Sequence, residues 1–297
     1  NTLKQLVILS GKGGTGKTTV TAALAHLASR EVRLVLADAD VDAANLELVL
    51  DPTKQLQEDF VGAKLAIIDD EACISCGRCA EVCRFDAVRD DTDHADAFHI
   101  DPLACEGCAS CYYQCPAEAI EMVPQRAGRW FRSQTRYGPL FHAHLFAGQE
   151  NSGKLVSTVK QQANLWALDI GAEMLLVDGP PGIGCPVISA SAGADIALLV
   201  VEPTVSGVHD LDRVLATTDH FDVPAQVIIN KADINPARAN AICTFCASRS
   251  VPVLGQIPYD TVITQAMVAG QPITAYDRGP ATQAIQAIWE QLRNSIS

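Results

Sequence analysis

Two copies of one cysteine spacing lie in the first half of the chain. Cys73-x2-Cys76-x2-Cys79-x3-Cys83 recurs as Cys105-x2-Cys108-x2-Cys111-x3-Cys115, each thiol 32 residues after its counterpart. The tails correspond too, Phe85-Asp86-Ala87-Val88 answering Ala117-Glu118-Ala119-Ile120. This is an internal duplication, read as a small two-fold module. The chain has 11 cysteines in all. Its opening residues, NTLKQLVILSGKGG, lack the basic flank and cleavage site of a signal peptide, so a cytoplasmic location is expected. Cysteines in that setting point to metal rather than disulfides.

Outside the module the pattern changes. Apolar runs at Leu6–Ser10, Val32–Ala37, Met174–Val177, Ile196–Val201, Gln226–Ile229 and Val253–Ile257 predict buried strands, most without polar alternation. Helical stretches lie between them, at Thr18–Arg30, Lys154–Ile170, Val208–His220, Pro236–Ser248 and Ala281–Ile296. Strands alternating with helices predict an α/β fold with a doubly wound, mostly parallel sheet, binding ligands at the carboxyl ends of its strands. With 297 residues the core is ample. The expected division is 1–60 and 126–297 for the α/β domain, with a small α+β domain inserted at 61–125. Gly128–Leu145 is expected to form strands or a hairpin leading back to the sheet. Glu150-Asn151-Ser152-Gly153-Lys154 leads into a helix, with the asparagine or serine as its cap.

The duplicated spacing resembles bacterial eight-iron ferredoxins over about 60 residues. In that pattern the fourth ligand of each cluster comes from the other repeat. The resemblance therefore implies Cys73, Cys76, Cys79 and Cys115 for one [4Fe–4S] cluster, and Cys105, Cys108, Cys111 and Cys83 for a second. The competing readings are paired zinc sites, which rarely use three such cysteines in succession, or coincidentally spaced thiols. Pro116 follows Cys115 as the pattern expects, but Arg84 follows Cys83. A cation there would raise one cluster's potential relative to the other.

Gly11-Lys12-Gly13-Gly14-Thr15-Gly16-Lys17-Thr18 follows an apolar strand and opens a helix, with Thr19 next, in the context that a phosphate-binding P-loop requires. Backbone N–H groups freed by the glycines, and the helix N-terminus, suit phosphate. Lys17 would neutralise the β- and γ-phosphates, and Thr18 would ligand Mg²⁺. The extra Lys12 resembles the deviant Walker A motif of the MinD, Mrp and nitrogenase-iron-protein group, in which this lysine reaches the partner's nucleotide across a dimer. That resemblance covers most of the chain outside the insert and implies a Mg²⁺-dependent homodimeric ATPase binding ATP and ADP. It gives Asp40 the attacking water, Asp38 a part in Mg²⁺ or switch geometry, and Asp178 a Mg²⁺ contact through water. Asn230-Lys231-Ala232-Asp233 literally fits the guanine-selecting N-K-x-D, whereas in the resembled family the asparagine contacts adenine and Ile257-Pro258 lines the pocket. ATP is favoured on the resemblance alone, with GTP left open.

Three cysteines remain. Cys185 follows Asp178 by seven residues, a distance at which the nitrogenase iron protein carries a ligand for a shared cluster. Cys243-Thr244-Phe245-Cys246 resembles the C-x-x-C pair by which Mrp-type carriers bridge a dimer. Either would imply a third, labile or bridging cluster. The alternative is a pair of small buried hydrophobes. His142 and His144 alternate on a predicted strand and could ligand metal; with no third ligand in view, a solvated face is the commoner reading of two such histidines. In Ala281–Ile296 the stripe Ile285, Ile288, Trp289 and Leu292 is expected to pack on the sheet rather than on a membrane, since Arg293 is its one cation.

The implied function is that of an accessory ATPase in iron–sulfur cluster assembly or carriage, with ferredoxin-type electron transfer. One alternative is ATP-gated electron delivery from the clusters to a partner; a weaker one is a MinD-like positioning ATPase with structural clusters. Net charge of −13, from 35 acidic against 22 basic residues, argues against nucleic acid. Bound clusters would add negative charge, so the expected partner, redox protein or apo-metalloprotein, has a basic docking face. No apolar run reaches the roughly 18 residues of a membrane span.

Overall fold

The computed structural model describes residues 3–90, 98–147 and 152–296. Glu150 and Asn151, offered above as part of a helix entry, lie outside the described residues. The first strand, β1 (Lys4–Ser10), delivers the chain to the glycine loop and α1 (Lys17–Ala28). β2 (Leu34–Asp38), α2 (Leu46–Leu50) and β3 (Thr53–Ile68) follow. The cysteine segment forms α3 (Arg78–Val82), β4 (Val88–Asp90), β5 (Phe98–Ile100) and α4 (Ser110–Gln114). The chain returns along β6 (Ile120–Thr135) and β7 (Gly138–Leu145). Then come α5 (Ser152–Asp169), β8 (Met174–Pro181), α6 (Cys185–Ser191), β9 (Ile196–Val201), α7 (Gly207–His220) and β10 (Ala225–Asn230). A 3₁₀ turn (Ala232–Ile234) precedes α8 (Pro236–Ser248), β11 (Val253–Ile257), α9 (Val262–Val268), α10 (Ile273–Tyr276) and α11 (Pro280–Ile296).

Among the described residues nine strands form one sheet in the order β11-β10-β9-β1-β8-β2-β7-β6-β3. Pairing is parallel from β11 through to β7. The fold is thus α/β with a large, mostly parallel sheet. Strands covered on both faces need no polar alternation, and β9 reads Ile-Ala-Leu-Leu-Val-Val, buried throughout. Apolar stretches in β3 and β6 are short, Leu65–Ile68 closing the one and Trp130-Phe131 lying within the other. The rest of each strand is largely polar and part-exposed, so hydropathy alone could not find the whole of either.

The chain divides into two compact units, Asn1–Glu58 with Trp130–His144 and Ser152–Ser297, and Asp59–Arg129 with Leu145–Asn151. The core of the first packs α1 against the sheet and α11, with Leu24, Leu36, Leu176 and Ile288 almost wholly enclosed. The stripe of α11 is buried there; Trp289 also donates from Nε1 to Glu31 Oε1 at 3.2 Å. No helix among the described residues is long and apolar enough to cross a membrane.

In the second unit the sequence repeat is a backbone repeat. α3 and α4 are 32 residues apart, as are the left-handed pairs Ser75/Gly107, Gly77/Ala109 and Asp86/Glu118. Gly107 has a second reason to be glycine, because a Cβ there would run into the Lys64 carbonyl oxygen. The small core, Ala66, Cys79 and Ile120 with Phe98, Ile100 and Met122, is partly built from the cysteines themselves.

Candidate functional site

β1 ends in the glycine loop on the carboxyl side of the sheet, between β8 and β9, where α/β sheets bind ligands. Gly14 and Gly16 have φ of +78° and +90°, a conformation that favours glycine. A Cβ on Gly16 would also strike the Asn230 amide, which donates to Thr15 O at 2.8 Å. The loop and α1 open onto a cavity of about 1000 Å³ whose lining includes Lys17, Thr18, Thr19, Asp40, Asn230 and Tyr259. Gly13, Gly14 and Gly16 also border it. Gly11, Lys12 and Thr15 line a separate small pocket with Glu202 and Asp210. Pro258 borders neither; its successors Tyr259 and Asp260 line the larger cavity.

Lys17 is only 6% exposed and sits 3.8 Å from Asp40 Oδ2. Behind Thr18 lie two buried acids. Thr18 Oγ1 donates to Asp178 Oδ2 at 2.7 Å, and Thr21 Oγ1 donates to Asp178 Oδ1 at 2.8 Å. Asp38 accepts the Asp40 N–H at 3.1 Å and the Leu46 N–H at 3.0 Å. Burial, first, and the neighbouring Asp178 raise the Asp38 carboxyl well above its ordinary range. Burial also raises Asp178 against the opposing pull of Lys17. Asp40 is raised by burial too, with Lys17 again opposing. Lys17, Thr18, Asp38, Asp40 and Asp178 are therefore one cluster of oxygens around one cation, a donor set suited to Mg²⁺.

Sequence reasoning missed Thr21, Glu202 and Thr204. Thr21 lies one helical turn beyond Thr18, and that spacing was the available signal. Glu202 faces both loop lysines, accepting from Lys231 Nζ and lying 3.8 Å from Lys12 Nζ. Lys12 also donates to Thr204 Oγ1 at 3.1 Å. Asp233, the residue that would select guanine, instead accepts the Tyr259 N–H at 2.6 Å.

In the second unit Cys73, Cys76, Cys79 and Cys115 line one small cavity with Ile68, Ile74 and Phe98. Cys83, Cys105, Cys108 and Cys111 line another with Phe85, Val88 and Ile100. Each gathers three thiols of one repeat and the last of the other. All are free thiols. Ala87 N–H donates to Cys83 Sγ and Ala119 N–H to Cys115 Sγ, both at 3.3 Å, and Ser75 N–H donates to Cys73 Sγ at 3.4 Å. Such donors stabilise thiolate. Burial pushes the Cys79 and Cys111 thiols up, while the Ser110 hydroxyl and N–H hold Cys108 down.

Cys185 is exposed at the first turn of α6. Cys243 and Cys246 lie on α8, but only Cys243 is part-exposed. Cys246 is fully enclosed, and burial pushes its thiol up to about 11. The spacing suggested two thiols presented together; the packing of α8 turns one of them into the core. His142 corrects another expectation, being wholly buried rather than part of a solvated face. It lies beside His144 and Glu47.

The sequence profile described as the CobQ/CobB/MinD/ParA nucleotide binding domain matches residues 6–273. An uncharacterized protein of Methanocaldococcus jannaschii is 32% identical over 294 residues, 99% of this chain and 98% of its own. An uncharacterized ATP-binding protein of that organism is 27% identical over 290 residues, 97% of this chain and 86% of its own. Among solved structures, the septum site-determining protein MinD of Pyrococcus horikoshii, complexed with Mg-ADP, superposes with a TM-score of 0.61 at 20% identity. That match covers 98% of this chain and 96% of the other.

Proposed function

The chain belongs to the CobQ/CobB/MinD/ParA family of nucleotide-binding proteins, and from that premise we propose a Mg²⁺-dependent cytoplasmic ATPase that gates electron delivery from two [4Fe–4S] clusters to a partner protein. The observation that carries the reading is the membership of the two thiol cavities, three cysteines of one repeat with the last of the other. That is the crossed arrangement of two-cluster ferredoxins. The fit extends to the N–H donors on Cys73, Cys83 and Cys115 and to the apolar walls. Cys73, Cys76, Cys79 and Cys115 would hold one cluster and Cys83, Cys105, Cys108 and Cys111 the other. When bound, the clusters supply one-electron chemistry.

For nucleotide, the N–H groups of Gly13 to Thr18 bind phosphate and Lys17 neutralises it. Thr18 and Asp178 hold Mg²⁺, Asp38 supports that geometry, and Asp40 orients the attacking water. Lys12 acts across a homodimer. The enclosed pair Asp38 and Asp178 supports the metal, since two buried carboxylates side by side must either hold a proton or gain a cation, and Mg²⁺ supplies the second. Asn230 faces adenine. The relative named as ATP-binding favours ATP over GTP.

The carriage reading needs Cys243 and Cys246 presented together, and the enclosure of Cys246 counts against it. The MinD-like positioning reading is consistent with the family and with the solved MinD neighbour; the gathered thiols favour the redox reading over it. Anaerobic purification followed by iron and sulfide analysis tests the proposal. About eight irons per chain are expected, with an electron paramagnetic resonance signal after reduction and ATP hydrolysis dependent on Mg²⁺. Zinc in place of iron at the cysteines would overturn it.

A further inference from the structure

We propose that Glu47, His142 and His144 form a binding site for a divalent transition-metal ion of the zinc class. All three lie in the first unit, Glu47 on α2 and the histidines two apart on β7, where alternate residues share a face. Glu47 reaches both rings, Oε2 lying 3.3 Å from His142 Nδ1 and Oε1 3.1 Å from His144 Nε2. One ligand atom from each residue falls within 4.8 Å of the others. Zinc bonds of about 2.0–2.2 Å place tetrahedral ligand atoms roughly 3.4 Å apart, so the two Glu47–histidine distances already suit an ion and the widest side of the triangle must close by up to about 1.4 Å.

The second observation is His142 Nδ1. It is buried and makes no hydrogen bond among the described residues, although a carboxylate oxygen stands beside it. The other ring nitrogen, Nε2, is engaged by Ser133 Oγ at 2.9 Å, and Phe131 stacks on the ring at 5.0 Å. A partner on the far nitrogen and a fixed ring plane are how proteins orient a metal-binding histidine. Lys54 Nζ, 3.9 Å from Glu47 Oε2, answers the carboxylate's charge but not the orphaned nitrogen. Its side chain is half exposed, and it can yield to a metal ion. Two histidines and a carboxylate leave a fourth position for water or another ligand, as in exchangeable rather than purely structural sites.

The site adjoins the nucleotide cluster through the backbone. Leu46, the residue before Glu47, donates its N–H to Asp38 Oδ2. An ion bound at Glu47 would hold the first turn of α2 in place beside that acid.

Zinc alone is the probe, added to full-length protein whose cysteines have been loaded with iron. Wild type should retain about one equivalent of zinc after desalting, with the imidazole ¹⁵N resonances of His142 and His144 shifted. His144→Ala and Glu47→Gln should each weaken zinc binding by at least about tenfold. Glu47→Gln preserves side-chain shape and decides the matter if the histidine variant loses its fold. Equal zinc retention in all three proteins, no retention by wild type, or unshifted His142 and His144 resonances at saturating zinc would overturn the proposal.

Discussion

Asp38 and Asp178 stand opposite each other in register on the adjacent parallel strands β2 and β8, both fully buried. Both carboxyls are raised by burial, so the folded state holds protons that the unfolded chain releases. The sign follows by linkage: this pair favours folding at low pH and loses that contribution as pH rises through the raised values. Asp178→Asn removes one charge. Without Mg²⁺ and nucleotide, the melting temperature of D178N relative to wild type should therefore climb as pH rises above the ordinary carboxylate range and through the raised values. The same variant should lose metal-assisted hydrolysis by about a hundredfold or more, equivalent to several kcal/mol. Calorimetry across pH and a steady-state phosphate assay check the two arms.

Glu202 occupies both loop lysines, Lys12 and Lys231, within one chain. If Lys12 is to serve a partner's nucleotide, it must leave Glu202 and Thr204. Glu202→Gln weakens the hold without removing the hydrogen-bonding group, and should raise the ATP-dependent dimer fraction severalfold in analytical ultracentrifugation. An unchanged fraction would argue that Glu202 does not restrain the lysine.

Asp233→Ala should leave the preference for ATP over GTP intact if Asp233 serves the Tyr259 backbone rather than a base. Loss of that hydrogen bond should cost about 1 kcal/mol of stability. Asn230→Ala should instead weaken ATP binding. Competition between the two nucleotides, measured by calorimetric titration, separates the residues; a swing toward ATP's rival in wild type would falsify the assignment.

Crossed ligation predicts unequal double mutants. Cys73→Ser with Cys115→Ser strikes one cavity and should remove about four irons, leaving the other cluster. Cys73→Ser with Cys83→Ser strikes both cavities and should remove about eight. If instead each repeat held its own cluster, the two outcomes would exchange. Iron analysis on anaerobically prepared variants reads the difference directly.

Much of the fold was legible because its signals are local. Apolar runs marked β1, β9 and β11, and glycines between β1 and α1 marked a phosphate loop. β3 and β6 carry only short apolar stretches amid polar residues. β6 pairs with its hairpin neighbour β7, in the segment Gly128–Leu145 expected to form a hairpin, but its pairing with β3 joins strands far apart in sequence. Thr21 could have been found from its helical spacing to Thr18. Glu202 and Glu47 could not, since neither sits in a motif.

The sequence by itself determined the order of strands and helices, the phosphate loop and the duplication of the cysteine segment, because each is a pattern among near neighbours. Only the tertiary structure decided which distant groups meet. Strand register sets Asp38 opposite Asp178, and helix packing encloses Cys246 while leaving Cys243 part-exposed. Glu47 is brought to His142 across nearly a hundred residues of chain, where burial then leaves one ring nitrogen without a partner. Charges and ligands interact through space and solvent exclusion, and neither is encoded in the spacing of adjacent residues.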